Sequence, residues 1–165
     1  MKKSIVITSG YFNPIHSGHI EYLRDAQKLG WWEVVIVNNN QQVVVKGTVP
    51  FMDCKERMHI VSQIQGVNYV VESVDHDATV CETIKLVVAT FRFLYPTSEL
   101  EFIFAKGGDR TLKNIPEKEI CKQLGVKMVF GVGGGKSQSS SGLIQKAIDG
   151  YHNLRKHEIN KHFQG

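Results

Sequence analysis

Short apolar runs alternate with amphipathic stretches along the chain. Continuous apolar runs predict buried strands, and apolar residues three or four positions apart predict helices. We predict strands at 4–8, 34–37, 67–71, 101–105 and 127–130, and helices at 17–29, 53–64, 79–94, 116–124 and 141–148. This alternation is typical of an α/β fold, with one doubly wound parallel sheet of five strands and helices on both faces.

Three residues are expected to mark helix ends. Gly30 follows the first helix, where a glycine commonly ends a helix in the left-handed conformation. Asp53 is followed three positions later by Glu56, which is the spacing of a capping box. Pro116 is predicted in the first turn of its helix, where proline is well tolerated.

Composition places the chain among ordinary globular proteins. The chain has 165 residues, 42% of them apolar and 22% charged, with a formal net charge of +4. No apolar run approaches the ~18–20 residues that span a membrane, and the mild positive charge does not indicate nucleic-acid binding. We expect one domain at 1–150 and a polar tail or terminal helix at 151–165.

The cysteines give no sign of a disulfide framework or a zinc site. They are odd in number, widely spaced and form no C-x-x-C motif: Cys54, Cys81 and Cys121. Reduced thiols are typical of cytoplasmic proteins, so we expect a cytoplasmic location.

In a doubly wound sheet, ligands bind beyond the carboxyl ends of the strands. The loop after the first strand holds two glycines, Gly10 and Gly18, which permit a sharp turn and a close approach of ligand. It also holds His16 and His19, which would face the same side of a helical turn at the start of the next helix. This arrangement favours stabilisation of a phosphoryl group. Half of a metal site and ordinary surface histidines remain as alternatives.

The motif F-N-P-I-H-S-G-H at 12–19 resembles the H-x-G-H signature of the nucleotidyltransferase superfamily, which includes cytidylyltransferases and adenylyltransferases. Lys46-Gly47, Arg57, K-G-G-D at 106–109 and S-S-S at 139–141 extend the match. Their order resembles the glycerol-3-phosphate cytidylyltransferase and heptose-phosphate adenylyltransferase groups. The resemblance covers roughly 4–148 and implies a Rossmann-like fold.

The resemblance implies transfer of a nucleotidyl group to a phosphate monoester, such as glycerol 3-phosphate or a sugar phosphate, with release of pyrophosphate. Mg²⁺ is implied with the triphosphate, and CTP is favoured over ATP. The catalytic residues that it implies are His16, His19 and Lys46. The implied nucleotide-binding residues are Ser9, Gly10, Tyr11, Phe12, Gly18, Gly107, Gly108, Asp109, Lys136, Ser139, Ser140 and Ser141. The implied substrate-binding residues are Asn13, Asn40, Arg57 and Arg110.

Each of these assignments has a simpler structural alternative. Lys46 would then be a solvated loop lysine, and the Gly-Gly-Asp segment that begins at Gly107 an ordinary turn. The serines at 139–141 can equally cap the last helix.

The chain also departs from the family pattern. Asn13 stands where relatives often have Asp, and amides at 38–40 replace another acid. Arg110 occupies a position that is usually aromatic in heptose-phosphate relatives, and Lys136 would substitute for an arginine of glycerol-phosphate relatives. The proline of N-P-I-H also occurs in mononucleotide adenylyltransferases. These departures bear on the substrate more than on the reaction class, and the proline and the K-G-G-D motif keep ATP as the alternative to CTP.

Two other functions fit parts of the sequence. The glycine-rich segment 131–137 approaches a P-loop, but its first glycine is one residue too close to Lys136. A nucleotide-binding module without turnover would use the same loops. We expect a phosphorylated small molecule as partner, no nucleic acid, no membrane, and a homodimer as the family implies.

Overall fold

A computed structural model describes residues 3–108, 115–135 and 138–162 of the chain. The strands are β1 (Lys3–Gly10), β2 (Trp32–Val37), β3 (Tyr69–Glu72), β4 (Leu100–Gly107) and β5 (Lys127–Val132). The helices are α1 (Ser17–Gln27), α2 (Asn40–Val45), α3 (Cys54–Ser62), α4 (Cys81–Leu94), α5 (Lys118–Leu124) and α6 (Ser140–His162).

The strands form one parallel sheet in the order β3-β2-β1-β4-β5. The chain adds β2 and β3 on one side of β1 and then adds β4 and β5 on the other side. The order of strands therefore reverses between β1 and β4, although all five strands are parallel. In such sheets the loops on either side of this switch point diverge and leave a crevice at the carboxyl ends of the strands. The predicted α/β fold with a five-stranded parallel sheet is confirmed.

Both faces of the sheet are covered by helices, as predicted. On one face, Ile84 and Phe91 of α4 pack with Cys121 of α5 against apolar side chains of β1, β2 and β4. On the other face, Leu23 of α1 and Val61 of α3 pack against the alternate side chains of the same strands. Burial on two sides explains why the strands read as continuous apolar runs.

Two predicted helix boundaries are wrong. Helix α1 ends at Gln27, and Gly30 does not adopt the left-handed conformation. Gly30 instead lies against β1, where a Cβ would come within 2.8 Å of the carbonyl oxygen of Ser4. Pro116 precedes α5, whose N-cap is Glu117, so this proline is not in the first turn.

Helix α3 begins as predicted, whereas α2 and the second half of α6 are helical segments beyond those predicted. Asp53 caps α3 as expected, with its side chain accepting a hydrogen bond from the amide of Lys55 at 2.9 Å. Helix α2 was not predicted. Helix α6 is longer than predicted, because it continues without a break from Ser140 to His162. The domain boundary near residue 150 therefore falls within a helix and stays a prediction.

Glu33 of β2 is a carboxyl group inside the core. It is 1% exposed, and Oε1 accepts a hydrogen bond from the hydroxyl of Thr8 at 3.1 Å. Within the described residues Oε2 has no hydrogen-bond partner. Glu33 is the register partner of Val6, so it points to the face covered by α1 and α3. Burial raises the pKa of Glu33 to about 7.

Glu33→Gln is expected to change how stability depends on pH. The pKa of Glu33 rises on folding from 4.5 to about 7, so the folded state holds a proton that the unfolded state has lost. The wild type therefore loses stability as pH rises from about 4.5 to 7, by up to about 3 kcal/mol. The glutamine variant has no such loss and should be the more stable protein at pH 8.

Urea unfolding at pH 5 and pH 8 measures this difference. The exposed residue Glu99 provides the control substitution, Glu99→Gln, which should leave the pH profile unchanged. An advantage of Glu33→Gln that is the same at both pH values would contradict the assignment of the raised pKa.

Candidate active site

The loop between β1 and α1 is held by two other parts of the chain. The hydroxyl of Ser140, at the start of α6, donates a hydrogen bond to the carbonyl oxygen of Pro14 at 2.8 Å. The side-chain amide of Asn13 donates to the carbonyl oxygen of Val49, between α2 and α3, at 2.8 Å. Segments that follow β2 and β5 therefore both contact this loop, at the carboxyl end of the sheet.

Phe12 forms the base of this loop. Its side chain is fully buried, and its ring centroid lies 4.9 Å from that of His19. A Cβ at Gly10 would come within 2.7 Å of the Phe12 ring, so glycine is needed for the aromatic side chain to fold back over the end of β1. Gly10 thus leaves room for the Phe12 ring, and that ring packs against His19.

His16 and His19 are stacked on each other. Their ring centroids are 3.8 Å apart and the ring planes are inclined by 28°. His16 is the N-cap of α1, and Nδ1 of His19 accepts a hydrogen bond from the backbone amide of His16 at 3.2 Å. This bond has the geometry of half a capping box, with histidine in place of the usual glutamate or glutamine. The H-x-G-H spacing therefore also organises the start of the helix.

The environment of His19 keeps its imidazole neutral. Its pKa is lowered to about 3, chiefly by burial and then by the nearby positive charges of His16 and Lys46. Because Nδ1 accepts the amide hydrogen, the proton of the neutral ring sits on Nε2. His19 can therefore act at neutral pH as a hydrogen-bond donor through Nε2, but not as a cation.

Lys46, at the end of α2, reaches the loop after β1. It is the C-cap of α2, and its ammonium nitrogen lies 4.1 Å from the ring centroid of Tyr11. Its positive charge also helps to lower the pKa of His19. The loop that carries His16 and His19 and the helix end that carries Lys46 are thus in contact through Tyr11.

The position of Lys46 depends on α2, a helix that the hydrophobic pattern does not predict. The side-chain oxygen of Asn39 accepts from the amide of Gln42 at 2.9 Å, and the side-chain oxygen of Gln42 accepts from the amide of Asn39 at 3.1 Å. This reciprocal pair is a capping box. The N-x-x-Q spacing at 39–42 was therefore a signal that could have predicted the helix.

Arg57 of α3 is fully buried below the two loops. Its Nη1 donates to the carbonyl oxygens of Tyr11 and Asn38, both at 2.7 Å, and its Nη2 donates to Oδ1 of Asn40 at 2.8 Å. Its Nε donates to the carbonyl oxygen of Met52 at 3.1 Å. This placement does not support the predicted contact of Arg57 with substrate, because the buried guanidinium donates to the protein itself; the contact stays a prediction.

Two of the other predicted substrate residues also have partners within the protein. Asn40 accepts from Arg57 and donates through Nδ2 to the carboxylate of Asp53 at 2.8 Å. Asn13, only 4% exposed, bonds the segment after α2. Arg110 lies outside the described residues, as do Asp109 and Lys136 of the predicted nucleotide site.

At the end of β4, Lys106 is joined to β1. Its ammonium group donates to the hydroxyl of Ser9 at 3.1 Å and lies 3.8 Å from a carboxylate oxygen of Glu117, which is 3% exposed. Gly107 and Gly108 follow directly, beside the crevice. Neither Lys106 nor Glu117 is among the predicted site residues, although the lysine stands in the K-G-G-D motif. No local sequence pattern indicates that Glu117, 11 residues after Lys106, is buried beside it.

The three serines before and within α6 have different roles. The hydroxyl oxygen of Ser139 accepts from the amide of Gly142 at 3.1 Å, which is helix capping. Ser140 bonds the loop after β1, and Ser141 is exposed. Gly18 lies in the first turn of α1 and is half-buried. The first loop and the start of α6 are therefore adjacent, as the predicted nucleotide site requires.

Among residues 3–108, 115–135 and 138–162, no three histidine, cysteine or acidic side chains are grouped closely enough to hold a metal ion. Within the same ranges, no helix is both long enough and apolar enough to cross a membrane.

Comparison with known proteins now bears on this site. The sequence model of the cytidylyltransferase-like family matches residues 7–134, which is well over half of the chain and includes every described loop of the site but the start of α6. The chain belongs to the cytidylyltransferase-like family. The resemblance to nucleotidyltransferases that the H-x-G-H motif predicted is confirmed.

Individual relatives agree with this family. The bifunctional protein HldE of Pelobacter propionicus is 31% identical over 153 residues, which is 90% of this chain but 28% of that protein. FAD synthase of Thermoplasma acidophilum is 40% identical over 63 residues, which is 38% of this chain and 44% of that protein. The chain thus spans less than half of either relative.

A solved structure shows the same fold. The crystal structure of a lipopolysaccharide core biosynthesis protein from Thermoplasma volcanium has a TM-score of 0.59 and 23% sequence identity. The match covers 78% of this chain and 95% of that one.

The glycine-rich turn after β5 has an explanation in this nucleotidyltransferase fold that needs no P-loop. Gly133 has a φ of 82°, and a Cβ there would lie 2.6 Å from the Cα of Tyr22 in α1. The turn therefore packs directly on the backbone of α1, which only glycine permits.

Arg57→Lys is expected to destabilise the folded protein by about 2–4 kcal/mol, because an ammonium group cannot reproduce the forked donors of a buried guanidinium. Urea unfolding measures the loss. Arg24→Lys, on the exposed side of α1, is the matched control and should change stability by less than about 0.5 kcal/mol. An Arg57→Lys protein with wild-type stability but weakened substrate binding would restore the substrate-contact role.

Proposed function

We propose that the chain transfers a nucleotidyl group from a nucleoside triphosphate to a phosphate monoester. An oxygen of the acceptor phosphate attacks the α-phosphorus and forms a new P–O bond, while the bond from that phosphorus to the β-phosphate oxygen breaks and pyrophosphate leaves. The observation that carries the proposal is the stacked pair of His16 and His19 with Lys46 at the carboxyl end of β1.

The chemistry of the site suits charge stabilisation. The neutral ring of His19 offers its Nε2 hydrogen to the oxygens of the α-phosphate, where negative charge grows in the transition state. One such donor contributes about 10²–10³ in rate. Lys46 supplies a positive charge that suits the triphosphate. The rest of the acceleration comes from holding the acceptor in line with the leaving group.

ATP is the nucleotide that we propose, with CTP as the second candidate. The FAD synthase relative is named for a product that contains an adenylyl group, and this supports ATP. The resemblance to glycerol-phosphate enzymes favours CTP, and the family is described as cytidylyltransferase-like. The acceptor is a phosphorylated small molecule in either case.

Mg²⁺ is expected to enter as part of the substrate, bound to the triphosphate. A homodimer and a cytoplasmic location stay predictions.

Pyrophosphate release is the experiment that tests the function. ATP and CTP are each supplied with Mg²⁺ and with glycerol 3-phosphate, sugar 1-phosphates, sugar 7-phosphates or flavin mononucleotide. We expect release with ATP and one acceptor class. Release with CTP alone would replace the adenylyl assignment. ATP binding without release from any acceptor would favour a binding module, and absence of both binding and release would overturn the proposal.

His16→Ala and His19→Ala are each expected to lower kcat by at least about 10², with the fold intact by circular dichroism. His59→Ala, on the exposed side of α3, is the matched control and should keep wild-type turnover. Wild-type turnover in both site variants would remove the two histidines from the mechanism.

A further inference from the structure

Lys46 has a long side chain on an exposed position at the end of a short helix. A lysine in such a place has many rotamers, and most of them would carry its ammonium group away from the histidines. For the charge to act on a triphosphate, something in the chain must favour the rotamers that point toward the site. The structure places one aromatic ring against this ammonium group.

That ring belongs to Tyr11. The ammonium nitrogen of Lys46 lies 4.1 Å from the ring centroid, within the distance at which a cation is attracted by an aromatic face. The two residues come from different loops, Tyr11 following β1 and Lys46 following α2. The contact therefore joins the two loops across the site.

The backbone at Tyr11 is itself held firmly. Its carbonyl oxygen accepts from the buried guanidinium of Arg57 at 2.7 Å, and its neighbour Phe12 is fully buried. The ring of Tyr11 is therefore presented from a fixed point, whereas Lys46 stands on an exposed end of α2. In a contact between a fixed group and a flexible one, the fixed group determines the position.

We infer that Tyr11 is the positioning residue of Lys46. Its ring holds the ammonium group against the loop after β1, which leads to His16 and His19, so that the charge is already in place when the triphosphate binds. This inference deepens the proposed function and rests on it for its catalytic meaning. The rival role of Tyr11, implied by the family resemblance, is direct contact with the nucleotide.

The first test needs no substrate. Reductive methylation with ¹³C-formaldehyde labels lysine side chains and keeps their charge, and methyl groups above an aromatic ring give NMR signals shifted upfield. We expect an upfield signal that disappears in Lys46→Arg, which assigns it, and in Tyr11→Leu. Tyr11→Phe, which retains the ring, should keep the shift.

Two lysines serve as internal controls for that spectrum. The ammonium nitrogen of Lys3 lies 5.1 Å from the centroid of Trp32, so its signal should remain shifted in every variant. Lys28 pairs with Asp25 on the surface and should give an unshifted signal. An unshifted Lys46 signal in the wild type would overturn the inference without use of any variant.

The second test is a double-mutant cycle on the affinity for Mg²⁺·ATP or Mg²⁺·CTP, whichever binds. Tyr11→Leu is expected to weaken binding by about two- to fivefold. In a Lys46→Ala background the same substitution should have no further effect, because the residue that it positions is absent. Equal losses in the two backgrounds would show that Tyr11 contacts the nucleotide independently, and the inference would be wrong.

These readouts separate the two proposals. If no acceptor gives pyrophosphate, the nucleotidyl-transfer proposal fails while the ring-current shift and the binding cycle still decide the role of Tyr11. If pyrophosphate is released but the Lys46 signal is unshifted, the function stands and the positioning role fails.

Discussion

The buried guanidinium of Arg57 is the interaction on which the site depends. It joins the loop after β1, the loop after β2 and the segment before α3 through acceptors that are all neutral oxygens. Burial lowers its pKa, which reflects the cost of keeping this charge away from water. Four hydrogen bonds offset that cost. Three of them fix backbone carbonyl groups outside regular secondary structure, and the fourth holds the side chain of Asn40 at the start of α2.

The position of these loops in turn determines the electrostatics of the stacked pair His16 and His19. Because the backbone at Tyr11 is held, Phe12 is buried under His19 and the start of α1 is set at His16. The amide of His16 then fixes the tautomer of His19, and burial keeps its ring uncharged. His19 is therefore an uncharged hydrogen-bond donor, whereas Lys46 carries a positive charge.

The sequence predicted what depends on local pattern and missed what depends on distant partners. Apolar runs predicted the five strands, and the three-residue spacing of His16 and His19 predicted that they share one face. The substrate role of Arg57 is implied by the family resemblance alone, and its acceptors at Tyr11 and Asn38 lie too far along the chain for any local spacing to indicate them. Gly30 resembled a helix end, but its small size serves close packing on β1. Neither spacing nor composition carries that information.

The amides that depart from the family pattern have a physical reason in this chain. Asn13 donates to the carbonyl oxygen of Val49 through Nδ2, while its Oδ1 lies 3.5 Å from the amide of Met52. An ionised aspartate could accept from Met52 but would face the Val49 carbonyl with a second acceptor and no hydrogen. The segment between α2 and α3 could then not be held in the same way. The path of the segment between α2 and α3 therefore requires the amide of Asn13. This requirement explains why an asparagine, and not an aspartate, stands at this position.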